Sequence, residues 1–224
     1  MFAALLLALA VLSVGPQASG AEPAFSQPSN WGATGLMQIP NARVIGDGIA
    51  RAGASDLDPF RTYYGTLGFF PGLELNGRIT EFKNVSAGFG GGNYGKNKDK
   101  AADVKYQIFD ETKYLPALAV GLQDPSGTQL FRSEYVVIDR QIFPFNFTLG
   151  YGWDRLDGLF GGIACQLTDR IQLMAEYDPI NSQNDKAVVQ EAYGDKGPSK
   201  INLGARLRLF QGGELTVTCQ QGYQ

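Results

Sequence analysis

The sequence predicts an all-β fold, an antiparallel transmembrane β-barrel of about twelve strands. Three features of the 224 residues support this fold class. Apolar and polar residues alternate in short segments, most of these segments are long enough to cross a bilayer, and the connections between them alternate between short and long. After the first few residues, no apolar run approaches the length that a membrane-spanning helix requires.

The alternation is clearest at residues 73–80, where Leu, Leu, Gly and Ile occupy one face and Glu, Asn, Arg and Thr occupy the other. Residues 201–209 repeat the pattern. Successive side chains of a strand point to opposite faces, so each segment has one apolar side and one polar side. In a soluble sandwich the polar side faces water. In an outer-membrane barrel it faces a hydrated interior, and the apolar side faces lipid.

Alternation and turn signals predict strands near 44–54, 60–70, 72–82, 101–110, 116–123, 129–140, 144–152, 159–167, 170–178, 200–209 and 213–220. Most reach about nine to eleven residues, which suits a tilted strand in a bilayer, whereas soluble strands run about five to six. Short connections at 70–72, 168–170 and 210–213 alternate with long polar ones at 83–100 and 179–199. Short turns on one side and long loops on the other are typical of outer-membrane barrels.

The number of predicted strands is odd, whereas closed single-chain bacterial barrels have an even number. Either one further strand escapes the pattern, or the barrel is incomplete at the C-terminus. The first 21 residues predict a signal peptide, because an apolar stretch at 2–14 precedes the small-residue cleavage pattern Ser19-Gly20-Ala21. We expect 22–43 to be an N-terminal periplasmic, plug-like segment and 44–224 to be the barrel domain in the bacterial outer membrane.

Composition excludes several kinds of function. The net charge of −3 and the lack of a Lys/Arg cluster argue against nucleic-acid binding. The chain has no histidine, so a Ser-His-Asp triad is impossible, and two distant cysteines, Cys165 and Cys219, do not make a zinc site. We expect no cofactor, no metal and no catalytic residue. Carboxylate pairs such as Glu176 with Asp178 keep a polysaccharide-modifying enzyme only as the weakest alternative.

The polar strand faces carry the residues that we expect to point inward. Two interpretations stay open: these side chains fill the interior with ion pairs and hydrogen bonds, or they line a hydrophilic path for a sugar chain. Tyr106, Tyr135, Tyr151 and Tyr177 are expected near strand ends or on outward faces, as interface anchors rather than surfaces for sugar. The candidates for lumen or polysaccharide contact are Glu74, Asn76, Arg78, Lys105, Gln107, Glu176, Asp178, Arg206 and Arg208.

The stretch from Trp31 to Arg43, with its Gly-x-Thr-Gly-Leu-x-x-x-Pro-x-Ala-Arg pattern, resembles the start of the YjbH/GfcD-like proteins. Residues 69–74 and 175–179 add to the resemblance, which covers about residues 30–210. The resemblance implies an outer-membrane β-barrel associated with exopolysaccharide and capsule biosynthesis. Many members of that family are far longer, with repeated barrel-like regions, and the resemblance carries over no catalytic residues.

These observations lead to one functional expectation and one main alternative. The chain is expected to take part in exopolysaccharide biosynthesis or secretion by offering a polar lumen to a sugar polymer. The alternative is a non-conducting scaffold that recruits secretion partners through its loops. The expected partners are outer-membrane lipid, an exopolysaccharide and other polysaccharide secretion proteins, without nucleic acid.

Overall fold

A computed structural model describes residues 7–14, 25–87, 95–126, 128–180, 185–194, 199–210 and 212–221. The described chain consists of strands and one short helix, and that helix is too short and too polar to cross a membrane. The strands are β1 Leu7–Val14, β2 Ala50–Leu57, β3 Phe60–Phe70, β4 Leu73–Ser86, β5 Lys96–Phe109, β6 Ala117–Gln123, β7 Ser133–Ile142, β8 Phe145–Asp154, β9 Gly158–Gln166, β10 Ile171–Tyr177, β11 Ile201–Phe210 and β12 Gly213–Gln221. The helix, α1 Ala187–Tyr193, lies between β10 and β11.

Strands β2 to β12 form an antiparallel sheet in which each strand pairs with its neighbour in sequence. The predicted all-β antiparallel class is therefore confirmed. Strand β1 pairs antiparallel with β12 through pairs such as Leu9 with Thr216, and with β2 through pairs such as Ser13 with Arg51. This strand lies within the stretch that the sequence predicts as a signal peptide, and its removal stays a prediction.

Several predicted boundaries are wrong. Strand β2 begins at Ala50 rather than at residue 44, because Val44 and Ile45 are buried in the interior and Gly48, with a φ of 71°, turns the chain. Half of the predicted long loop at 83–100 is strand, since β4 runs to Ser86 and β5 starts at Lys96. The predicted loop at 179–199 contains α1. The glycine-rich stretch at 88–92 lies outside the described residues.

The connections separate into two ends of the sheet. The end with 58–59, 87–95, 124–132, 155–157 and 178–200 is called here the long-loop end. The opposite end, with 71–72, 110–116, 143–144, 167–170 and 211–212, is called the short-turn end. The predicted separation by length is therefore present, although 58–59 and 155–157 are brief.

The two faces of the sheet have an inverted polarity compared with a soluble protein: polar side chains are buried and apolar side chains are exposed. In β4, Glu74 is 1% exposed while Ile79 is 43% exposed, and most of the strands from β2 to β12 likewise turn large apolar side chains outward. Tyr106, Tyr151 and Tyr177 lie outward as predicted, but Tyr135 is buried because its ring packs over Gly121, its cross-strand neighbour. The large apolar side chains exposed along the strands include Leu67, Val104, Leu122, Ile138, Leu149, Leu159, Ile163, Leu173, Leu203 and Leu207.

The polar face of the sheet surrounds residues 25–45, which are buried throughout and are called here the inner segment. Two isolated bridges, Pro28 with Thr34 and Gly35 with Pro40, fold this segment into tight turns instead of a helix. Gly32, with a φ of 95°, comes so close to Tyr64 and Asn76 that no side chain would fit there.

Candidate functional site

Glu74 on β4 holds one part of the inner segment. Its carboxylate accepts hydrogen bonds from the backbone nitrogens of Thr34 at 2.7 Å and Ile45 at 2.9 Å, and from the Thr34 hydroxyl. Lys105 on β5 lies behind it, with Nζ 3.7 Å from Glu74 Oε1. The same ammonium group donates to the carbonyl oxygens of Thr34 at 2.7 Å and Asn41 at 3.3 Å. The buried Glu74–Lys105 ion pair therefore binds both N–H and C=O groups of the inner segment's backbone.

Glu176 on β10 plays the same part on another side of the sheet. Its two carboxylate oxygens accept from the backbone nitrogens of Met37 at 2.9 Å and Gln38 at 2.7 Å. Asn202 on β11 donates its side-chain amide to the same carboxylate at 2.9 Å. The carboxylate thus provides acceptors for two backbone N–H groups in a turn of the inner segment.

Arg206 on β11 binds carbonyl oxygens of the inner segment. Its Nη2 donates to the carbonyls of Pro28 at 2.9 Å and Leu36 at 3.0 Å. Its other nitrogens donate to Gln172 at 2.9 Å and to the Thr216 hydroxyl at 3.0 Å. The planar guanidinium therefore ties three elements together in one geometry.

Three further candidate residues also contact the inner segment. Asn76 donates to the carbonyl of Trp31 at 3.0 Å, and Gln107 donates to that of Ala42 at 2.9 Å. Arg78 pairs with Asp103 at 2.5 Å, and its guanidinium lies 5.2 Å from the centre of the Trp31 ring. These side chains bind the protein's own backbone and aromatic groups.

Asp178 and Arg208 are not brought to the inner segment in this way. Asp178 follows β10 and accepts the backbone N–H of Ile180 at 2.9 Å within the long connection. Arg208 is half exposed near the short-turn end, with Nε 3.7 Å from Glu214. The candidates therefore divide into a set around the inner segment and one residue at each end, and their contact with a polysaccharide stays a prediction.

Sequence reasoning missed an ion-pair cluster at the short-turn end. Arg43, the last residue of the motif, donates to Glu111 at 2.5 Å and to Asn146 at 3.2 Å. Its Nε lies 3.5 Å from the fully buried carboxylate of Asp139. The partners of Arg43 lie more than sixty residues away in the chain. No local sequence pattern therefore reveals that Arg43 anchors the strands to the inner segment.

An aromatic cluster covers the inner segment at the long-loop end. It contains Trp31, Phe60, Phe82, Phe131 and Tyr193, the last residue of α1, with several ring centres between 5.1 and 6.1 Å apart. Packing of α1 is helped by Asn84, which donates to a carbonyl near the end of the helix at 2.9 Å. This cluster joins the inner segment, strands β3 and β4, the 124–132 connection and α1.

Arg155 organises the polar edge of the aromatic cluster. Its guanidinium lies 5.1 Å from the ring centres of both Trp31 and Phe131, and Nη2 donates to the Tyr193 hydroxyl oxygen at 2.8 Å. Nε lies 3.4 Å from Asp185. Burial raises the pKa of Tyr193 to about 12, so its oxygen stays a neutral acceptor. Neither Arg155 nor Tyr193 was a candidate, because each lies in a stretch predicted as loop.

A cavity lies beside this cluster and is called here the loop-end cavity. It is small, with a volume of about 20 Å³, enough for about one water molecule, and it is partly open to solvent. Its lining combines aromatic rings with amides and carboxylates. The lining includes Asn30, Trp31, Gln38, Asp58, Phe60, Asp178 and Tyr193.

The raised pKa of Asp178, at the long-loop end, predicts that the stability of the protein depends on pH. Burial raises the pKa of Asp178 to about 6 from an ordinary value of 3.8. The folded state therefore binds the proton more tightly, and stability falls as pH rises from about 4 to about 6, by up to about 3 kcal/mol. We expect Asp178→Asn to lose this slope, measured as the difference in unfolding free energy from the unmodified protein at each pH. The exposed Asp169→Asn is the control, and an equal pH-dependent difference there would contradict the assignment.

The described residues hold no group of three or more His, Cys, Asp or Glu side chains suited to a metal ion. Cys165 and Cys219 are free rather than joined in a disulfide.

Comparison with known proteins places this arrangement in a family. The family described as "Exopolysaccharide biosynthesis protein YbjH" matches residues 27–158 and 156–224. A protein named "Uncharacterized lipoprotein YjbH" from Escherichia coli (strain K12) is 31% identical over 239 residues, which cover 87% of this chain and 33% of that protein. This chain thus spans about a third of that relative's length. No solved structure matches the chain. The chain belongs to the YjbH exopolysaccharide biosynthesis family.

Proposed function

We propose that this chain is a β-barrel of the bacterial outer membrane that serves exopolysaccharide secretion as a non-conducting component, presenting its long-loop end to the polymer and to partner proteins. The observation that carries the proposal is the inverted polarity of the sheet, which exposes apolar side chains and buries polar ones. In water such an apolar surface would promote association, whereas in a bilayer it contacts hydrocarbon.

Aromatic side chains at both ends of the sheet support a membrane location. Phe70, Phe143 and Phe210 are exposed at the short-turn end, and Tyr151 and Trp153 are exposed towards the long-loop end. Outer-membrane barrels carry such girdles at the two interfaces. The pairing of β1 with both β2 and β12 supports a closed barrel in a chain that keeps residues 7–14, because closure leaves no strand edge exposed to lipid.

The inner segment favours a scaffold over a polar path. Glu74, Glu176 and Arg206, which a path would need for sugar hydroxyls, are occupied by the backbone of residues 28–45. Exchange of those bonds for sugar hydroxyls would require the segment to leave, which would break its buried ion pairs and aromatic contacts. We assign no catalytic step, because Glu176 and Asp178 are engaged in hydrogen bonds.

The proposed role in exopolysaccharide secretion rests on family membership. This chain spans only about a third of the relative's length, so the role of the whole relative is proposed for it rather than transferred. The expected partners are outer-membrane lipid, the exopolysaccharide and other secretion proteins. Deletion of the gene should lower the amount of exopolysaccharide at the cell surface. Restoration by the Arg208→Glu variant, at a half-exposed residue, would show that Arg208 does not contact the polymer during secretion.

Reconstitution tests the membrane and scaffold parts separately. The purified protein should insert into vesicles of outer-membrane lipid and aggregate in buffer without detergent. In planar bilayers the unmodified protein should show no discrete conductance, because the inner segment occupies the interior. A protein that stays monodisperse without detergent would overturn the membrane location. Steady conductance would instead favour the polar lumen that the sequence suggested.

A further inference from the structure

We propose that the outward face of β4 and β5 at the long-loop end binds the phosphate groups of a glycolipid in the outer leaflet of the membrane. The cations of this surface are Lys96, Lys98 and Lys100 of β5, called here the lysine row. This inference deepens the proposed function, on which it rests, since a membrane location alone does not say which lipid the protein binds.

The lysine row lies on the side of β5 that faces away from the interior. Its three side chains are exposed, whereas Asp99, between the last two of them, is buried. Side chains on one face of a strand recur every second residue, about 7 Å apart, so the row extends over about 14 Å. Three ammonium groups therefore follow one another along the outer surface towards the loops.

Apolar side chains begin directly below the lysine row. Lys100 pairs across the sheet with Ile79, and Ile79 pairs in turn with Tyr63. Ile79 and Tyr63 are exposed, and the same face of β5 continues towards the short-turn end with the exposed Val104. Tyrosine is enriched where hydrocarbon meets the headgroups, so this level of the sheet marks the membrane boundary. A lipid with phosphates above and acyl chains below matches this order of cations and apolar groups.

Carboxylates close to the lysine row already have cations of their own. Within the part of the chain that the structure describes, Lys96 and Lys100 have no such ion pair, so two positive charges remain for a ligand. Each lysine at an anionic membrane surface strengthens binding roughly fivefold, so two strengthen it roughly thirtyfold. The ion pairs that engage the carboxylates are Asp56 with Arg61 at 2.6 Å, Asp58 with Lys83 at 2.6 Å and Glu81 with Lys98 at 3.5 Å.

The position of the lysine row favours a lipid over an acidic polysaccharide. The lysines share the outward face with Ile79 and Val104, which the proposed membrane location surrounds with hydrocarbon. A polymer that arrives over the long-loop end would meet the connections between strands rather than this lateral face. A phosphate monoester also carries more negative charge than the single carboxylate of an acidic sugar, which suits a row of ammonium groups.

The test uses the full chain purified in detergent micelles, with bound lipid counted by native mass spectrometry. Diphosphoryl lipid A and phosphatidylethanolamine are titrated separately, and inorganic phosphate and polygalacturonate are then added in excess as competitors. We expect lipid A to bind at least about tenfold more tightly than phosphatidylethanolamine. This preference should shrink in about 1 M ammonium acetate, because salt at that concentration screens exposed charges.

The double variant Lys96→Gln, Lys100→Gln should weaken lipid A binding at least about tenfold, because it removes both unpaired ammonium groups. Arginine at the same two positions should keep the affinity within about threefold of the parent, since the charges remain. The matched control, Lys113→Gln with Arg170→Gln, removes two exposed cations at the short-turn end and should stay within about twofold. All four positions are exposed, so each variant should unfold at the urea concentration of the parent.

Two results would overturn the inference: equal affinity for lipid A and phosphatidylethanolamine, or equal losses in the glutamine variant and its control. Displacement of lipid A by inorganic phosphate or by polygalacturonate would also overturn it, and would assign the row to a free anion or to an acidic polymer. Insertion into vesicles without a preference for lipid A would end this inference and leave the proposed membrane location standing. A protein that stays monodisperse without detergent would instead overturn the proposed function, and this inference with it.

Discussion

Replacing Glu74 with alanine should destabilise the protein by about 3–5 kcal/mol, measured by urea unfolding in lipid vesicles. The change removes the acceptor for the backbone nitrogens of Thr34 and Ile45 and leaves the buried ammonium of Lys105 without its carboxylate. An uncompensated buried charge is among the most unfavourable changes that one substitution can cause.

Two variants control this prediction. Glu134→Ala removes a carboxylate that is 44% exposed and pairs with Arg132, so its effect should stay below about 1 kcal/mol. The double variant Glu74→Leu, Lys105→Met removes both charges and should be less destabilised than Glu74→Ala alone. If Glu74→Ala unfolds within about 1 kcal/mol of the parent, Glu74 does not anchor the inner segment.

Replacing Glu176 with alanine should free the inner segment near Met37, at a cost of about 3 kcal/mol in stability. The backbone nitrogens of Met37 and Gln38 and the amide of Asn202 would lose their acceptor. Hydrogen exchange at the two backbone amides should rise by about a hundredfold, while that of the strand amides in β7 stays unchanged. Intermittent conductance should appear in planar bilayers, where the parent is silent.

Glu176→Gln distinguishes charge from geometry in this anchor. Glutamine keeps one acceptor oxygen in nearly the same volume, so its amide exchange should lie between that of the parent and that of the alanine variant. Unchanged exchange at Met37 and Gln38 in Glu176→Ala would contradict the anchoring role. Conductance equal to that of the parent, with faster exchange, would show that the segment loosens without leaving a path.

The sequence predicts the strands well because the alternation of apolar and polar residues within each strand shows which residues share a face. Leu73 to Thr80 alternate strictly, and their inward and outward positions follow directly. The sequence did not show whether the apolar or the polar face of the sheet is buried. In the structure Arg78 is buried and its neighbour Ile79 is exposed, so the polar face is the covered one. Charged Lys96 and Lys98 concealed the start of β5, since a hydrated outer face near a loop resembles the loop itself.

The candidate site was harder to predict than the fold. Inward residues such as Glu74 and Arg206 were identified from alternation, but their partners were not, because the inner segment has no periodicity of its own. Trp31 was noted only within a motif, whereas the structure places it between the guanidinium groups of Arg78 and Arg155. Such pairings join residues far apart in the chain and leave no local trace.

The long sequence separations within the interior have a consequence for folding. Leu36 meets Arg206 across 170 residues, and Met37 meets Glu176 across 139. Contacts of such high sequence separation form slowly, since a long loop must close before they are made. The first described residues after β1 are therefore among the last to reach their native positions. Their native contacts can form only once β10 and β11 are in place.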